Sequence, residues 1–337
     1  MITPTSLPEL SHFPVMLEEV IKICSPKKND ILIDCTFGGG GFSKKFLKSS
    51  NAKVIAIDRD KFILKISKEL KKKYPDRFTF HLKKFSEVNK ILTNKFADFI
   101  IFDLGLSSIQ LDNLNRGFSY NSKDTIDMSM GLTNISAVEV INSFSEQKIK
   151  SILKVLGEEH EASRIAKNII KTRTIKKITK VDHLVEIIKK SKKNLYSSKI
   201  NPSTKTFQAF RIFVNKEITE LINGIINATK ILKPGGKLLT ISFHSIEDRI
   251  IKYFFTNYSP NKSKPSRYFP EIENLNNLLF DKYKNKIYKA SNKEIIKNPP
   301  SRSAKLRYAI RNKNRFIYPK ELIEKFKTYL DLESLND

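Results

Sequence analysis

The sequence predicts an α/β protein, a mostly parallel sheet whose strands alternate with helices and which is interrupted after its fourth strand by a helical insertion. Three observations carry this. Short apolar runs recur at 31–33 (ILI), 54–57 (VIAI), 78–82 (FTFHL) and 98–102 (DFIIF). Amphipathic stretches lie between them, such as DKFILKISKELKKK (60–73), apolar at 62, 63, 66 and 70. Four consecutive glycines, of only 11 in the chain, directly follow the first run in LIDCTFGGGGFS. Short buried strands alternating with helices are the pattern of βαβ units and a parallel sheet.

The alternation stops near Leu111. From there to Pro202 the periodicity is helical, as in EEHEASRIAKNIIKTR and VDHLVEIIKKSKK, with no strand pair. Three segments are therefore expected: 1–110 as the first part of the sheet domain, 111–212 as an all-helical insertion that recognises substrate, and 213–337 as the second part of the sheet domain. FQAFRIFVNKEITELINGIINATKIL reads as one long helix with Phe210, Val214, Ile218, Leu221 and Ile225 on one face. The turn signal KPGG (233–236) ends it. A strand KLLTISF (237–243), a helix SIEDRIIKYFF and a last strand KLRYAIR (305–311) follow. Residues 256–303, rich in Lys, Asn, Pro and Ser, read as a long loop.

Composition narrows the function classes. A length of 337 residues suits about two domains of roughly 150 residues each. No run approaches the ~18 apolar residues of a membrane span, and the start MITPTSLPELSHFP lacks the basic and apolar blocks of a secretory signal. Two cysteines, Cys24 and Cys35, give neither a disulfide framework nor a CxxC zinc motif. A soluble, cytoplasmic protein with no membrane partner is expected. Net charge is +27, from 62 basic and 35 acidic residues. Such a field attracts nucleic acid. Compositional drift competes as an explanation, because the excess is mostly lysine in a chain also rich in Asn and Ile.

Glycines at the end of a first parallel strand let the backbone approach a ligand closely; a plain tight turn is the alternative. Two carboxylates flank them. Asp34 ends the first strand, and Asp58 ends the second in VIAIDRD, placed to accept hydrogen bonds from ribose hydroxyls. An ordinary helix N-cap ahead of DKFILK is the other reading of Asp58. The dinucleotide pattern GxGxxG fails at its third position, which is Ser43, and no P-loop lysine follows. An acidic residue before the glycines instead suits the ammonium group of S-adenosylmethionine. After the fourth strand, IIFDLGLSSIQLD supplies Asp103, Gly105, Ser107, Ser108 and Gln110. A nucleobase amine is a poor nucleophile until acceptors bind its N–H hydrogens and turn its lone pair outward. Holding both reactants in line can then contribute roughly 7–11 kcal/mol of the barrier.

The ordered motifs HFPVMLEEV, IDCTFGGGGFS, AIDRD, DLGLSSIQLD, RGFSY, GEEHEASRIA, NPSTKTFQAFRIFVN, LKPGGKL, SFHSIEDRIIK and NPPSRSAKLR together resemble the bacterial small-subunit rRNA (cytosine-N4)-methyltransferases of the RsmH or MraW type. The resemblance spans nearly the whole chain. It implies a Rossmann-like class I S-adenosylmethionine-dependent methyltransferase with an inserted all-helical domain. It further implies methylation of a cytidine N4 in the decoding centre of 16S rRNA, on the small ribosomal subunit. Cofactor contacts are implied at Gly40, Gly41, Phe42, Asp58, Phe85, Asp103 and Gln110, with Phe85 flanking the adenine. Asp103 is the candidate catalytic group, and Ser107 and Ser108 are candidate target contacts. Gly39, Phe42, Ile109 and Lys205 depart from the residues usual in the family at those positions.

Lys205, Arg211 and Arg249 sit beside these motifs and are the expected RNA contacts. Lys176, Lys177, Lys189, Lys190, Lys192 and Lys193 form either a phosphate-facing patch or a solvated face. His244, in SFHS, either touches the target base or orders its loop. His160 and His183 read as surface or capping residues, and five scattered histidines show no ligand spacing, so no metal is expected. No DNA partner is expected, since a DNA amino-methyltransferase would carry an (Asp/Asn/Ser)-Pro-Pro-(Tyr/Phe) motif where this chain has DLGL. A non-catalytic RNA-binding assembly factor and an NAD-dependent oxidoreductase remain as alternatives, the latter disfavoured by Ser43 and the basic charge.

Overall fold

The structure is a computed structural model that describes residues 14–92, 96–193, 201–260 and 278–334. Strands β1 (Ile31–Asp34), β2 (Lys53–Asp58), β3 (Phe78–Leu82), β4 (Ala97–Asp103), β5 (Leu232–Ser242) and β6 (Lys305–Ile310) form one sheet in the order β3-β2-β1-β4-β5-β6. The first five are parallel and β6 is antiparallel to β5. All six overlap the apolar runs of the sequence, and the central strands β1 and β4 are nearly continuously apolar because they are buried on both faces.

Successive side chains point to opposite faces of a strand, which divides the core in two. Leu32, Val54, Phe99 and Ile101 pack with α1 (Leu17–Cys24), α2 (Gly41–Ser49) and α3 (Leu64–Lys73) on one side. Ile33, Ile57, Ile100 and Phe102 point to the other. There the chain after β4 runs through α4 (Ser108–Asp112), α5 (Ala137–Ser143), α6 (Glu146–Val155), α7 (Ala162–Arg173), α8 (Val181–Ser191), α9 (Thr204–Asn215) and α10 (Glu217–Ile231) before returning to β5. After β5 come α11 (Ser245–Asn257), α12 (Asn292–Lys297), α13 (Lys320–Lys325) and α14 (Lys327–Ser334). Ile149, Ile165 and Leu184 of the insertion belong to the same buried cluster as Ile100 and Phe102 of the sheet. The insertion and the sheet thus share a continuous core.

Three expectations change. The single long helix is two, broken at Lys216, whose φ of 50° is left-handed. Asn215 secures the break, its amide donating to Met128 O and Arg211 O while its Oδ1 accepts Met130 N–H. Periodicity could not show this, because both helices bury their apolar face in the same core. The boundary drawn between 212 and 213 consequently falls inside α9. KPGG is not a turn before the strand but a bulge within β5, where the pairing with β4 jumps from Ala97↔Leu232 to Phe99↔Lys237. Of the expected loop 256–303, residues 261–277 lie outside the described residues; the remainder holds α12 and a 3-10 turn (Pro299–Ser303). Phe280 in it is fully buried, edge-on to Phe254 and Phe255.

Candidate active site

In a doubly wound sheet a ligand crevice opens at the carboxyl ends of the two adjacent strands from which the chain winds outward in opposite directions. Here those are β1 and β4. A pocket opens there, lined among others by Phe37, Gly38, Gly39, Gly41, Phe42, Asp58, Asp60, Phe85, Asp103, Ser107, Gln110, Met130 and Phe243.

The glycines divide their work. Gly38 (φ 48°) turns the chain, and its N–H donates to Asp58 Oδ2 at 2.8 Å. Gly40 (φ 75°) is the N-cap of α2 and does not line the pocket. A Cβ on it would stand 2.8 Å from the Phe37 ring, so the glycine is required for packing at this turn. Gly41 lines the pocket beneath Pro14, where a Cβ would meet the proline ring at 2.5 Å.

The two aspartates flanking the glycines differ. Asp34 is fully buried, accepts the Ser43 hydroxyl at 2.7 Å and does not line the pocket. It is a structural acceptor, not the ammonium partner expected. Burial pushes its carboxyl up to about 6. Asp58 does line the pocket. Its two oxygens accept Gly38 N–H and Asp60 N–H (2.9 Å), leaving outer lone pairs for a ligand. Burial raises it to about 6, against the pull of those two N–H groups. The helix cap weighed for Asp58 falls on Asp60, which accepts Phe62 N–H and also holds Gln110 Nε2 (2.8 Å) and Arg116 (2.6 Å).

Asp103 ends β4, its N–H donating to Thr36 Oγ1. Its Oδ1 is buried and has no hydrogen-bond partner among the described residues. Burial, with Asp34, Glu247 and Glu294 nearby, pushes the carboxyl well above the carboxylate range. An uncompensated buried carboxylate is costly and marks a place where a cation or N–H donor belongs. Ser107 and Gln110 form a capping box on α4, in which the Ser107 oxygen accepts Gln110 N–H while the residue lines the pocket. Ser108 is the first residue of that helix. Phe42 is buried to 3% exposure yet lines the pocket. Phe85 stands edge-on to Phe102 at 5.3 Å and also forms part of the wall.

Sequence reasoning missed part of this wall. Met130 arrives from the insertion, fixed by Asn215. Asn298 and Pro300 come from the segment read as loop, and Phe243 precedes α11. NPPSRS and SFHS were visible as motifs, but only folding carries them to this edge. The RNA candidates also sort out. Arg211 is committed to Glu217 through two bonds of 2.9 Å and is largely buried, which removes it as a free phosphate contact. Lys192 is likewise paired, with buried Glu159. Arg249 is exposed, and Lys205 donates to Glu158 O. His244 is the N-cap of α11, ordering the loop with Glu247. Glu217, His244 and Glu247 bring ligand-type atoms within 4.8 Å of one another, a grouping invisible in sequence spacing; Arg211 already supplies a cation to it.

A crevice with hydroxyl acceptors at one end and a buried carboxyl with an unpartnered oxygen at the other, ready to ionise beside a cation, suits a cationic nucleoside, and in class the protein is an α/β methyltransferase. The chain matches the MraW methylase family over residues 9–312 and belongs to it. It is 41% identical over 300 residues to the ribosomal RNA small subunit methyltransferase H of Ehrlichia canis, covering 88% of this chain and 98% of that one. The protein of the same name from Orientia tsutsugamushi is 40% identical over 305 residues, covering 89% and 98%. A solved rRNA methylase from Streptococcus thermophilus covers 90% of this chain and 99% of its own at 10% identity and a TM-score of 0.41. The methyl donor of the MraW family is S-adenosylmethionine, and the residues present fit it, since Asp103 lacks the cation that this group carries.

Proposed function

We propose that this protein methylates N4 of a cytidine in the decoding centre of 16S rRNA, with the small ribosomal subunit as its partner. The observation that carries the reading is the unpartnered Asp103 carboxylate at the carboxyl edge of β4, in the same pocket as the pinned Asp58. Family membership and the names of the 40%-identical relatives support rRNA as the substrate class. Among the described residues no helix is long and apolar enough to cross a membrane, which agrees with action on ribosomes in the cytoplasm.

Bound S-adenosylmethionine supplies an electrophilic methyl group. The chain's own residues do the rest. Asp58 accepts from the ribose hydroxyls, and Phe85 packs beside the base of the cofactor. Gln110, held by Asp60 and Ser107, stiffens the rim. Asp103 accepts an N–H of the incoming amine, which draws the lone pair out of conjugation with the ring and toward the donor. Phe243 and Met130 exclude water from that junction. Transfer leaves the donor as the neutral thioether S-adenosylhomocysteine, and the methylated nitrogen, now acidic, gives its proton to solvent, so no strong base is required beforehand.

The test is transfer of labelled methyl groups to small subunits from cells lacking the protein, followed by nucleoside mass spectrometry. N4-methylcytidine is expected. Label in another nucleoside, or tight subunit binding without transfer, would overturn the assignment.

A further inference from the structure

Glu158 occupies an odd position for an acidic residue in so basic a chain. It follows Gly157, where a Cβ would stand 2.7 Å from Leu153 O and Lys205 O, so the end of α6 is pressed onto α9. Glu158 itself is left-handed, with φ of 49°. Its side chain crosses to α11, where Oε2 accepts the Ser245 hydroxyl at 2.6 Å and Oε1 accepts Arg249 at 2.7 Å. Lys205 Nζ donates to its carbonyl at 3.0 Å. A hydroxyl and a guanidinium converge on the carboxylate while an ammonium holds the main-chain carbonyl of the same residue, and these three donors are of the kind that bind phosphate oxygens equally well.

The surroundings extend that chemistry. The groove beside Glu158 is lined by Lys150, Lys154, His160 and Lys205, together with Glu159, which is buried and paired with Lys192. Ser245 lies two residues after Phe243, a wall residue of the active-site pocket. The pair is not locked in place, because Arg249 and Glu158 side chains remain 51% and 41% exposed. Exposed pairs of this kind are weak and exchange readily.

We propose that Ser245, Arg249 and Lys205 form a phosphodiester subsite for the single-stranded RNA flanking the target nucleotide, with Glu158 as its intramolecular placeholder. The proposal rests on the rRNA reading above. An arriving phosphate takes the Ser245 and Arg249 donors, and the freed carboxylate turns out to solvent. Until then Glu158 competes for the site and keeps non-target anions out of it.

The experiment is fluorescence anisotropy of a fluorescein-labelled 12-nucleotide single-stranded RNA on the full chain, over a range of KCl concentrations. Glu158→Gln is expected to bind about 3–10 times more tightly than the parent. Arg249→Ala is expected to bind more weakly, with a salt slope shallower by about one. In the double variant the gain from Glu158→Gln should vanish, because the site it unmasks is gone. Glu186→Gln, which removes an exposed charge elsewhere on the insertion, should gain much less. A Glu158→Gln variant that melts normally but binds RNA no better than the parent would overturn the proposal, leaving the contact as a structural latch or a protein-docking surface. So would a gain that survives Arg249→Ala or is matched by Glu186→Gln. Loss of N4-methylcytidine formation with the anisotropy pattern intact would instead sink the reaction assignment and leave the subsite standing.

Discussion

The Gly38 N–H donates to Asp58 Oδ2 at 2.8 Å, so the turn after β1 holds the carboxylate at the end of β2. The backbone of one strand's exit thereby orients the acceptor of the next before any ligand arrives. Preorganisation of this sort means that little side-chain freedom is lost on binding.

On the proposed reading, replacing Asp58 with Ala removes both acceptors for the ribose hydroxyls. Hydrogen bonds to a charged group contribute about 1.5–3 kcal/mol each, so cofactor affinity should fall at least 10²-fold in a calorimetric titration. Since Asp58 titrates near 6, affinity of the parent should also weaken as pH falls through that value, whereas Asp58→Asn should be flat. Unchanged affinity in Asp58→Ala would remove the ribose assignment.

Asp103 sets stability against function. Its buried Oδ1 lacks a partner and burial pushes its carboxyl up. Asp103→Asn removes the charge at nearly constant shape and should raise the Tm of the ligand-free protein at pH 8. Methyl transfer should drop on the order of 10²-fold, as when one preorganised polar group is lost from a reaction centre. A variant that is less stable and fully active would contradict both halves.

Ser43 stands where a dinucleotide motif would have glycine, and it is the donor that satisfies Asp34. Ser43→Gly should therefore cost about 1.5–3 kcal/mol of stability, read as a lower urea midpoint with unchanged slope. A midpoint equal to the parent's would show that Thr36 N–H, at 3.4 Å, suffices.

Glu333 on α14 is 1% exposed and accepts Ile218 N–H, Thr219 N–H and the Thr219 hydroxyl at the start of α10. Burial raises it from 4.5 to about 7. A raised carboxyl contributes stability that is fully present below its unfolded value and lost as pH rises through its folded one. The contribution here is about 3 kcal/mol below pH 4.5, gone above about pH 7. The Tm of the parent should fall between pH 5 and pH 8 more steeply than that of Glu333→Gln. Parallel Tm curves would refute the linkage.

Much of this architecture was written in local pattern. The central strands β1 and β4 were legible because they are buried on both faces and so nearly continuously apolar. The others were legible because short apolar runs recur between helical stretches, and Asp58 and Asp103 because they end such runs. Other assignments needed coordinates. AIDRD reads as one acidic motif, yet Asp58 faces the cofactor pocket, Asp60 caps the next helix and grips Arg116, and Arg59 reaches Asn215 O in the insertion. Arg211 and Arg249 look alike in sequence, but one is paired inside the protein and the other stands at its surface.

The sequence by itself determined the sheet, its glycine turn and the family, because these depend on residue type and on spacing along the chain. Only the tertiary structure decided which carboxylate is satisfied and which is left wanting. That depends on partners far apart in the chain, Thr36 beside Asp103 and Asn215 beside Met130, and on the low polarisability of the core they close around, neither of which has a period to read.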